Sequence, residues 1–285
     1  VEVQSADDIP AIVERAMTLA CSDRPGPVVV SLPEDVLREL TTALPGPCVE
    51  VDERPPSDGD IASVCGVLAG VERPVLLVGG GGWTDAGRSH LRSFAERNDL
   101  PVIVTFRRHD LFDNTDDRYA GEAGVAMPAA VRRALVEADV VVALNARFGE
   151  MATGTYTLFG AGSSERPPGQ SIIHVHASEA EFGKVVDADR TVHAGPNEMA
   201  GALANVDLEG RARWARWRAE CRAAFLDTLD CPPQLGELDM GEVTAWLRDR
   251  LPDDVIVTNG AGNFSVWPNK FLVYGDRARL LGSQN

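Results

Sequence analysis

Three stretches of this chain have residue types and spacing that suit chemistry. The first is Gly79-Gly80-Gly81-Gly82, which follows an apolar run and precedes an amphipathic one. Glycine lets a backbone come close to a ligand, and the start of a helix offers N–H groups at its positive dipole end. That placement suits a phosphate, and it suits a tight strand-to-helix turn equally well. The pattern is not the G-x-G-x-x-G of dinucleotide sites. The second stretch, Gly260-Ala261-Gly262-Asn263, is of the same physical kind and leads into Phe264, Ser265 and Trp267. Spacing again leaves phosphate loop and plain turn level. The third, Arg147-Phe148-Gly149-Glu150, lies just past the wholly apolar run Val140–Leu144. Ligands of open α/β sheets bind at such strand ends. The planar fork of Arg147 suits a diphosphate; a structural salt bridge is the competing role. His174 and His176 alternate on a strand and face one side. A shared metal needs a third ligand, none is evident nearby, and structural histidines are the preferred reading. No G-x-S-x-G elbow occurs.

Residues 59–205 supply the frame for these stretches. A helix carries Ile61, Val64, Cys65 and Leu68, and Pro74 leads into a strand, Val75–Val78. A helix with Leu91, Phe94 and Ala95 inward follows, then a strand, Pro101–Thr105, a loop with Gly121 and Gly124, and a helix over about 128–137. Val140–Leu144, Ser171–Val175 and Thr191–Ala194 are further strands. Short apolar strands alternating with helices predict an α/β fold, a doubly wound Rossmann-like parallel sheet covered on both faces.

Partial α/β segments are expected on both sides. Ser5 and Asp8 open a helix over 5–20 in the manner of a capping box, with Ile9, Ile12, Val13, Ala16 and Leu19 on one face. A strand, Val28–Leu32, follows. Residues 1–40 therefore look like the last α–β unit of a preceding domain, and 41–58, with Pro45, Pro47, Pro55 and Pro56, like a semi-rigid linker. Residues 206–285 look like the start of another α/β domain. They hold a helix over 209–229 with Trp214, Trp217, Cys221 and Phe225, a helix Met240–Leu251 with Val243, Trp246 and Leu247 on one side, and a strand Val255–Val257.

The net charge of −16 argues against a nucleic-acid partner. No apolar run reaches membrane-spanning length, and the N-terminus lacks a signal-peptide pattern, so a cytoplasmic protein is expected, with no membrane partner. The first residue is Val1 rather than Met, which fits a chain starting in mid-gene. The cysteines, odd in number and far apart, predict reduced, mostly buried thiols.

The order of segments resembles the thiamine-diphosphate enzymes of the acetolactate-synthase type, in which a pyrimidine-binding domain, a central domain and a diphosphate-binding domain succeed one another. Arg24–Val36 is similar to the end of the first. Pro74–Gly81 with Pro101–Thr105, Ala138–Phe148 and Ile172–Lys184 are similar to the second, and Val257–Trp267 to the opening of the third. The resemblance implies a parent that joins or decarboxylates 2-oxo acids on thiamine diphosphate and Mg²⁺. It implies a homodimer or homotetramer, because the family's active site lies between subunits. Ala261, Gly262, Asn263 and Phe264 stand where the family meets the cofactor's diphosphate, although Gln and His are frequent at the last two positions. The activating glutamate and the G-D-G…N metal motif are not among these residues, so the fragment alone is expected to be inactive.

In acetolactate-synthase-like members the central domain holds FAD, at positions matching Gly79, Gly80, Gly81, Thr105, Phe106, Gly124, Arg147, Phe148 and Glu150. Where the family carries aspartates around the adenosine, this chain has His176, Ser178 and Pro196. FAD, ADP, another nucleotide and an empty site all stay open. A non-catalytic nucleotide-binding or structural assembly module is the other function class that the sequence admits.

Overall fold

The computed structural model describes residues 1–209 and 211–282, which form two compact units, Val1–Arg54 and Pro55–Asn285. In the first unit, Ser5 caps a short 3-10 turn through the N–H of Asp7, and α1 (Ile9–Cys21) follows. No residue of α1 is buried, and Val13 and Leu19 of the expected inward face are exposed. The core here is small: Val3, Ala6 and Val36, with Ile9, Ile12 and Val30 packed against it. The expected strand Val28–Leu32 is not formed. Ser31 makes one parallel bridge to Glu2, exchanging bonds with Val1 and Val3, and no longer pairing develops among the described residues. A strand without neighbours leaves its backbone groups to water and gains nothing by staying extended.

The second unit opens with α2 (Asp58–Ala69), started by a true capping box between Ser57 and Asp60. Then come β1 (Pro74–Val78), α3 (Asp85–Asn98), β2 (Val102–Thr105), β3 (Tyr119–Ala123), α4 (Ala129–Glu137), β4 (Val140–Leu144), β5 (Ser171–His176), β6 (Arg190–His193) and α5 (Pro196–Leu203). The six strands form one parallel sheet in the order β3-β2-β1-β4-β5-β6. This is the doubly wound, Rossmann-like arrangement. Alternation along each strand sorts the core into two layers. Leu76, Val78, Val102, Val104, Val140 and Val142 pack with residues of α2, α3 and α5; Val75, Leu77, Ile103, Val141 and Ala143 pack with Val131 and Leu135 of α4. Each such side chain, taken fully out of water, contributes roughly 1.5–3 kcal/mol.

The edge strand β3 was expected as loop. Its glycine hides it: Gly121 has φ +108, and a Cβ there would stand 2.7 Å from Val131 Cγ2, so α4 lies too close for any larger residue.

Five further helices and strands complete the unit among the described residues. The helix α6 (Arg211–Asp227) buries Trp214, Trp217, Cys221 and Phe225 as its pattern predicts. The indole N–H groups of Trp214 and Trp217 donate to the carbonyls of Val71 and Pro74, and Phe225 meets Tyr119 edge-on at 4.8 Å. Then come α7 (Met240–Arg248), β7 (Ile256–Asn259), α8 (Val266–Phe271) and β8 (Arg279–Gly282), with β7 and β8 paired in parallel over a core of Leu272, Tyr274, Ala278 and Leu280. Against expectation, Trp246 is 56% exposed, its ring under the Arg250 guanidinium. The cysteines are all free, but Cys21 and Cys48 are exposed and only Cys221 is buried, where desolvation pushes its thiol up to about 12.

Candidate functional site

The sheet order reverses between β1 and β4, where open α/β folds bind ligands. The carboxyl ends of these two strands carry Gly79–Gly82 and Asn145–Glu150, so the topology brings two of the candidate stretches together. Asn145 has the left-handed φ of +52 that suits asparagine and donates from Nδ2 to the Gly81 carbonyl at 2.8 Å, across the crevice. A Cβ on Gly79 would run into the Thr105 hydroxyl. One on Gly80, where φ is +70, would run into the Asn145 carbonyl. These two glycines are required by the fold itself. Gly81 has no other atom within 4 Å of such a Cβ and faces open space.

The start of α3 is provided for internally. Thr84 caps the Gly87 N–H at 3.0 Å, and the Asp85 carboxylate in the first turn pairs with Arg88 and Arg279. Asn197, the second residue of α5, closes the turn from the other side: it accepts from the N–H and hydroxyl of Thr84 at 2.8 and 2.9 Å and donates to the Gly82 carbonyl at 2.8 Å. Sequence reasoning missed Asn145 and Asn197. Their signals were an asparagine directly after an apolar strand and one directly after the proline that opens a helix.

The remaining residues divide. Phe148 is buried, edge-on to Phe159 and to His174 at 5.4 and 4.9 Å. Thr105 is buried, and the Glu122 carboxylate fills the space beside Gly124 while accepting the Arg107 N–H at 3.1 Å. Phe106 is half-buried with the Arg107 guanidinium 4.7 Å from its ring centre. Arg147 and Glu150 are exposed, and Arg147 has no hydrogen bond or ion pair among the described residues. The salt-bridge role weighed for it is therefore not the one seen.

His174 and His176 do face one side, with ring centres 5.7 Å apart, but each serves the backbone. His174 Nε2 meets the Ala146 carbonyl at 2.9 Å, and His176 Nδ1 accepts the Ser178 N–H at 2.9 Å. Burial pulls His174 down to about 4, so its ring is neutral at pH 7. No cluster of three metal-ligating side chains occurs among the described residues.

The other candidate stretch lies at the carboxyl end of β7. Gly260, Ala261, Gly262, Asn263 and Phe264 are all exposed, and nothing lies closer than 4.0 Å to a Cβ on Gly260. Ser265 folds the loop by donating its N–H and hydroxyl to the Gly262 carbonyl at 3.1 and 2.7 Å. Behind it, the amide oxygen of Asn259 is buried with no hydrogen-bond partner among the described residues.

Residues 61–203, half of the chain, match the family model of the thiamine pyrophosphate enzyme central domain. The chain belongs to the thiamine pyrophosphate enzymes. It is 30% identical to the acetolactate synthase large subunit of Parasynechococcus marenigrum over 96% of its own length and 45% of that protein's. It is 29% identical to the acetolactate synthase of Mycobacterium bovis, over 95% and 44%, and 26% identical to the acetolactate synthase isozyme 2 large subunit of Escherichia coli, over 95% and 48%. The chain spans a little under half the length of these relatives.

Thiamine diphosphate, the group after which the family is named, fits the loop after β7. The loop is exposed, a Cβ on Gly260 meets nothing closer than 4.0 Å, and Gly262 at φ +145 takes a backbone conformation that favours glycine, so neither glycine puts a side chain between this backbone and a diphosphate. A nucleotide in the central crevice fits in part. Gly81 and Arg147 are available to a diphosphate. At the positions expected to face the adenosine, the described residues offer no free carboxylate: His176 and Ser178 bond to each other, Pro196 opens α5, and Glu179 is paired with His193 at 2.9 Å. Among the described residues, no helix is long and apolar enough to cross a membrane.

Proposed function

We propose that this chain is the middle of a thiamine-diphosphate-dependent, acetolactate-synthase-like enzyme that joins or decarboxylates 2-oxo acids. In this reading residues 1–40 end the pyrimidine-binding domain, 41–58 link, 59–205 form the central domain, and 206–285 begin the diphosphate-binding domain. The observation that carries it is the open, exposed loop Gly260–Phe264 at the carboxyl end of a parallel strand, in a chain whose relatives named acetolactate synthase align along nearly all of it. When bound, thiamine diphosphate would supply the nucleophile and electron sink that joining or decarboxylating 2-oxo acids requires. The part played by these residues is binding. Ala261, Gly262 and Asn263 offer backbone N–H groups to the diphosphate, and the Asn263 amide adds a donor.

Mg²⁺, the activating glutamate and a second subunit, in a homodimer or homotetramer, come from outside these residues, so the chain alone does not catalyse. The enzyme works in the cytoplasm. The central crevice takes a phosphate-bearing ligand at Gly81 and Arg147, with FAD and ADP held at the diphosphate rather than at the ribose. Relatives that are all enzymes weigh against a stand-alone nucleotide-binding or assembly module.

The test is to incubate the full-length protein with pyruvate, Mg²⁺ and thiamine diphosphate and to follow CO₂ release and acetolactate formation. Cofactor-dependent turnover is expected. Absence of turnover with every 2-oxo acid tried, together with no binding of thiamine diphosphate, would sink the reading. Denaturing the same preparation and examining the supernatant for flavin or adenine absorbance tests the central crevice separately.

A further inference from the structure

The loop after β7 is exposed, and its own hydrogen bonds are local ones such as those from Ser265 to Gly262, so its placement depends on what holds the flanking β7 and α8. The connection between β2 and β3 does so at two points. At the first, Asn114 exchanges two hydrogen bonds with the backbone of Tyr274: its N–H donates to the Tyr274 carbonyl at 2.8 Å, and its Oδ1 accepts the Tyr274 N–H at 3.0 Å. Its Nδ2 donates to the carbonyls of His109 and Phe112 at 2.9 and 2.8 Å, and its own carbonyl accepts from Arg222 of α6 at 2.9 Å. Every polar group of this buried residue is spent on joining three segments. Tyr274, itself 1% exposed, stands beside the His109 ring at 5.6 Å, and its hydroxyl donates to the Pro268 carbonyl within α8, the helix that continues the loop.

At the second point, Gly282 closes the carboxyl end of β8. A Cβ on it would stand 2.8 Å from Asn259 Oδ1 and 3.4 Å from Arg107 Cδ, so the side chain of Arg107 lies against the strand ends from which the loop departs. Arg107 is held there with a left-handed φ of +60, its N–H bonded to Glu122. One short segment, 106–114, thus touches both Tyr274, which bonds back to α8, and the paired carboxyl ends of β7 and β8.

We propose that Asn114 is a positioning residue for the loop Gly260–Phe264, fixing Tyr274, and through it α8, without touching a ligand. The proposal rests on the reading of that loop as the thiamine diphosphate site. The experiment compares full-length wild type with Asn114→Ala and Tyr274→Phe. Calorimetric titration with thiamine diphosphate and Mg²⁺ gives the dissociation constant, and amide hydrogen exchange of the cofactor-free protein gives the order of residues 260–271.

Losing the Asn114 bonds raises the dissociation constant about tenfold, and losing the Tyr274 hydroxyl raises it about threefold. Exchange speeds up across 260–271 while β4 and β5 stay protected. Unchanged exchange over 260–271 in both variants overturns the positioning role. If wild type fails to bind thiamine diphosphate, the reading of the loop falls, and the exchange data still decide whether Asn114 orders it. Should Asn114→Ala not fold, Tyr274→Phe, which keeps the ring and the backbone bonds, carries the test: wild-type exchange and affinity in that variant overturn the proposal.

Discussion

Two glycine-bearing loops in this chain look alike in sequence and differ in structure. Gly79–Gly82 and Gly260–Gly262 both follow an apolar strand and enter a helical segment. In the first, the glycines are demanded by the protein: Thr105 and Asn145 press on Gly79 and Gly80, and Asn145 and Asn197 tie the turn shut. In the second, the backbone is exposed and Gly260 is uncrowded, while Gly262 is required only by its φ of +145 and by the exposed Phe264 ring of its own loop. A glycine can serve close approach to a ligand or close approach to the protein's own chain, and the residue type is identical in the two cases. What separates them is the neighbour on the other side, which only the fold supplies.

The sharpest way to break that comparison is to add the missing Cβ. Gly80→Ala meets the Asn145 carbonyl at a φ of +70 and should lose roughly 3 kcal/mol or more of stability. Gly260→Ala meets nothing within 4.0 Å and should change stability by less than about 0.5 kcal/mol. Urea unfolding of the two variants side by side measures the difference. Equal losses would erase the distinction between an architectural and an open loop.

Acid should separate the regions next. His174, on β5 and bonded to the Ala146 carbonyl at the other side of the crevice from the first loop, is held near 4 by burial, against an ordinary value of 6.5. Its folded-state pKa is depressed, so the unfolded chain takes up the proton first. The stability it contributes is complete above about 6.5 and is lost as pH falls toward 4, to a total of roughly 3 kcal/mol. Residues 259–265 carry no titratable side chain. Unfolding free energy measured between pH 7 and 4 should fall more steeply in wild type than in His174→Gln, whose amide still donates toward the Ala146 carbonyl. Parallel curves would show that the imidazole is not the acid-sensitive group.

Much of this was legible in the residues. The sheet's class followed from Val75–Val78, Pro101–Thr105, Val140–Leu144 and Ser171–Val175, whose apolar runs are too short for helices and too continuous for one-sided strands. The edge strand at 119–123 was not legible, because Gly121 is there for the approach of Val131, a contact far away in sequence. The strand at 28–32 was over-read, since apolar residues promise a strand only where partners exist. At the candidate site, strand ends and glycines pointed to the crevice between β1 and β4, which the topology does form. The division between spent groups (Phe148, Thr105, Gly79, Gly80) and available ones (Gly81, Arg147) depends on residues of β2, β5 and the segment after β4, which no local pattern encodes.

Asn197 gives a smaller effect. Its three bonds to Thr84 and Gly82 hold the glycine turn against α5. Asn197→Ala leaves the Thr84 N–H and the Gly82 carbonyl without their partner and should cost about 2 kcal/mol. Asn197→Asp keeps the acceptor, loses the donor, and should fall between. A thermal melt in which all three proteins coincide would mean that water replaces the bonds at no cost, and the first loop would then be less closed than its geometry indicates.

Arg147 gives the smallest stability effect and decides what the first region still offers a ligand. It is exposed and without a partner among the described residues, so Arg147→Ala removes no native interaction and should leave the unfolding free energy within about 0.5 kcal/mol. Binding should respond differently. A guanidinium bonded to a phosphate contributes a charge-assisted hydrogen bond, and its loss raises a dissociation constant about tenfold. Inorganic pyrophosphate titrated into wild type and Arg147→Ala measures this directly, with Gly260→Ala as the control that leaves the central crevice intact. A tenfold weaker variant of unchanged stability assigns the crevice a diphosphate site that survives although most of its neighbours are committed to the fold. Equal affinities would mean that Gly81 and Arg147 are merely exposed and hold no diphosphate.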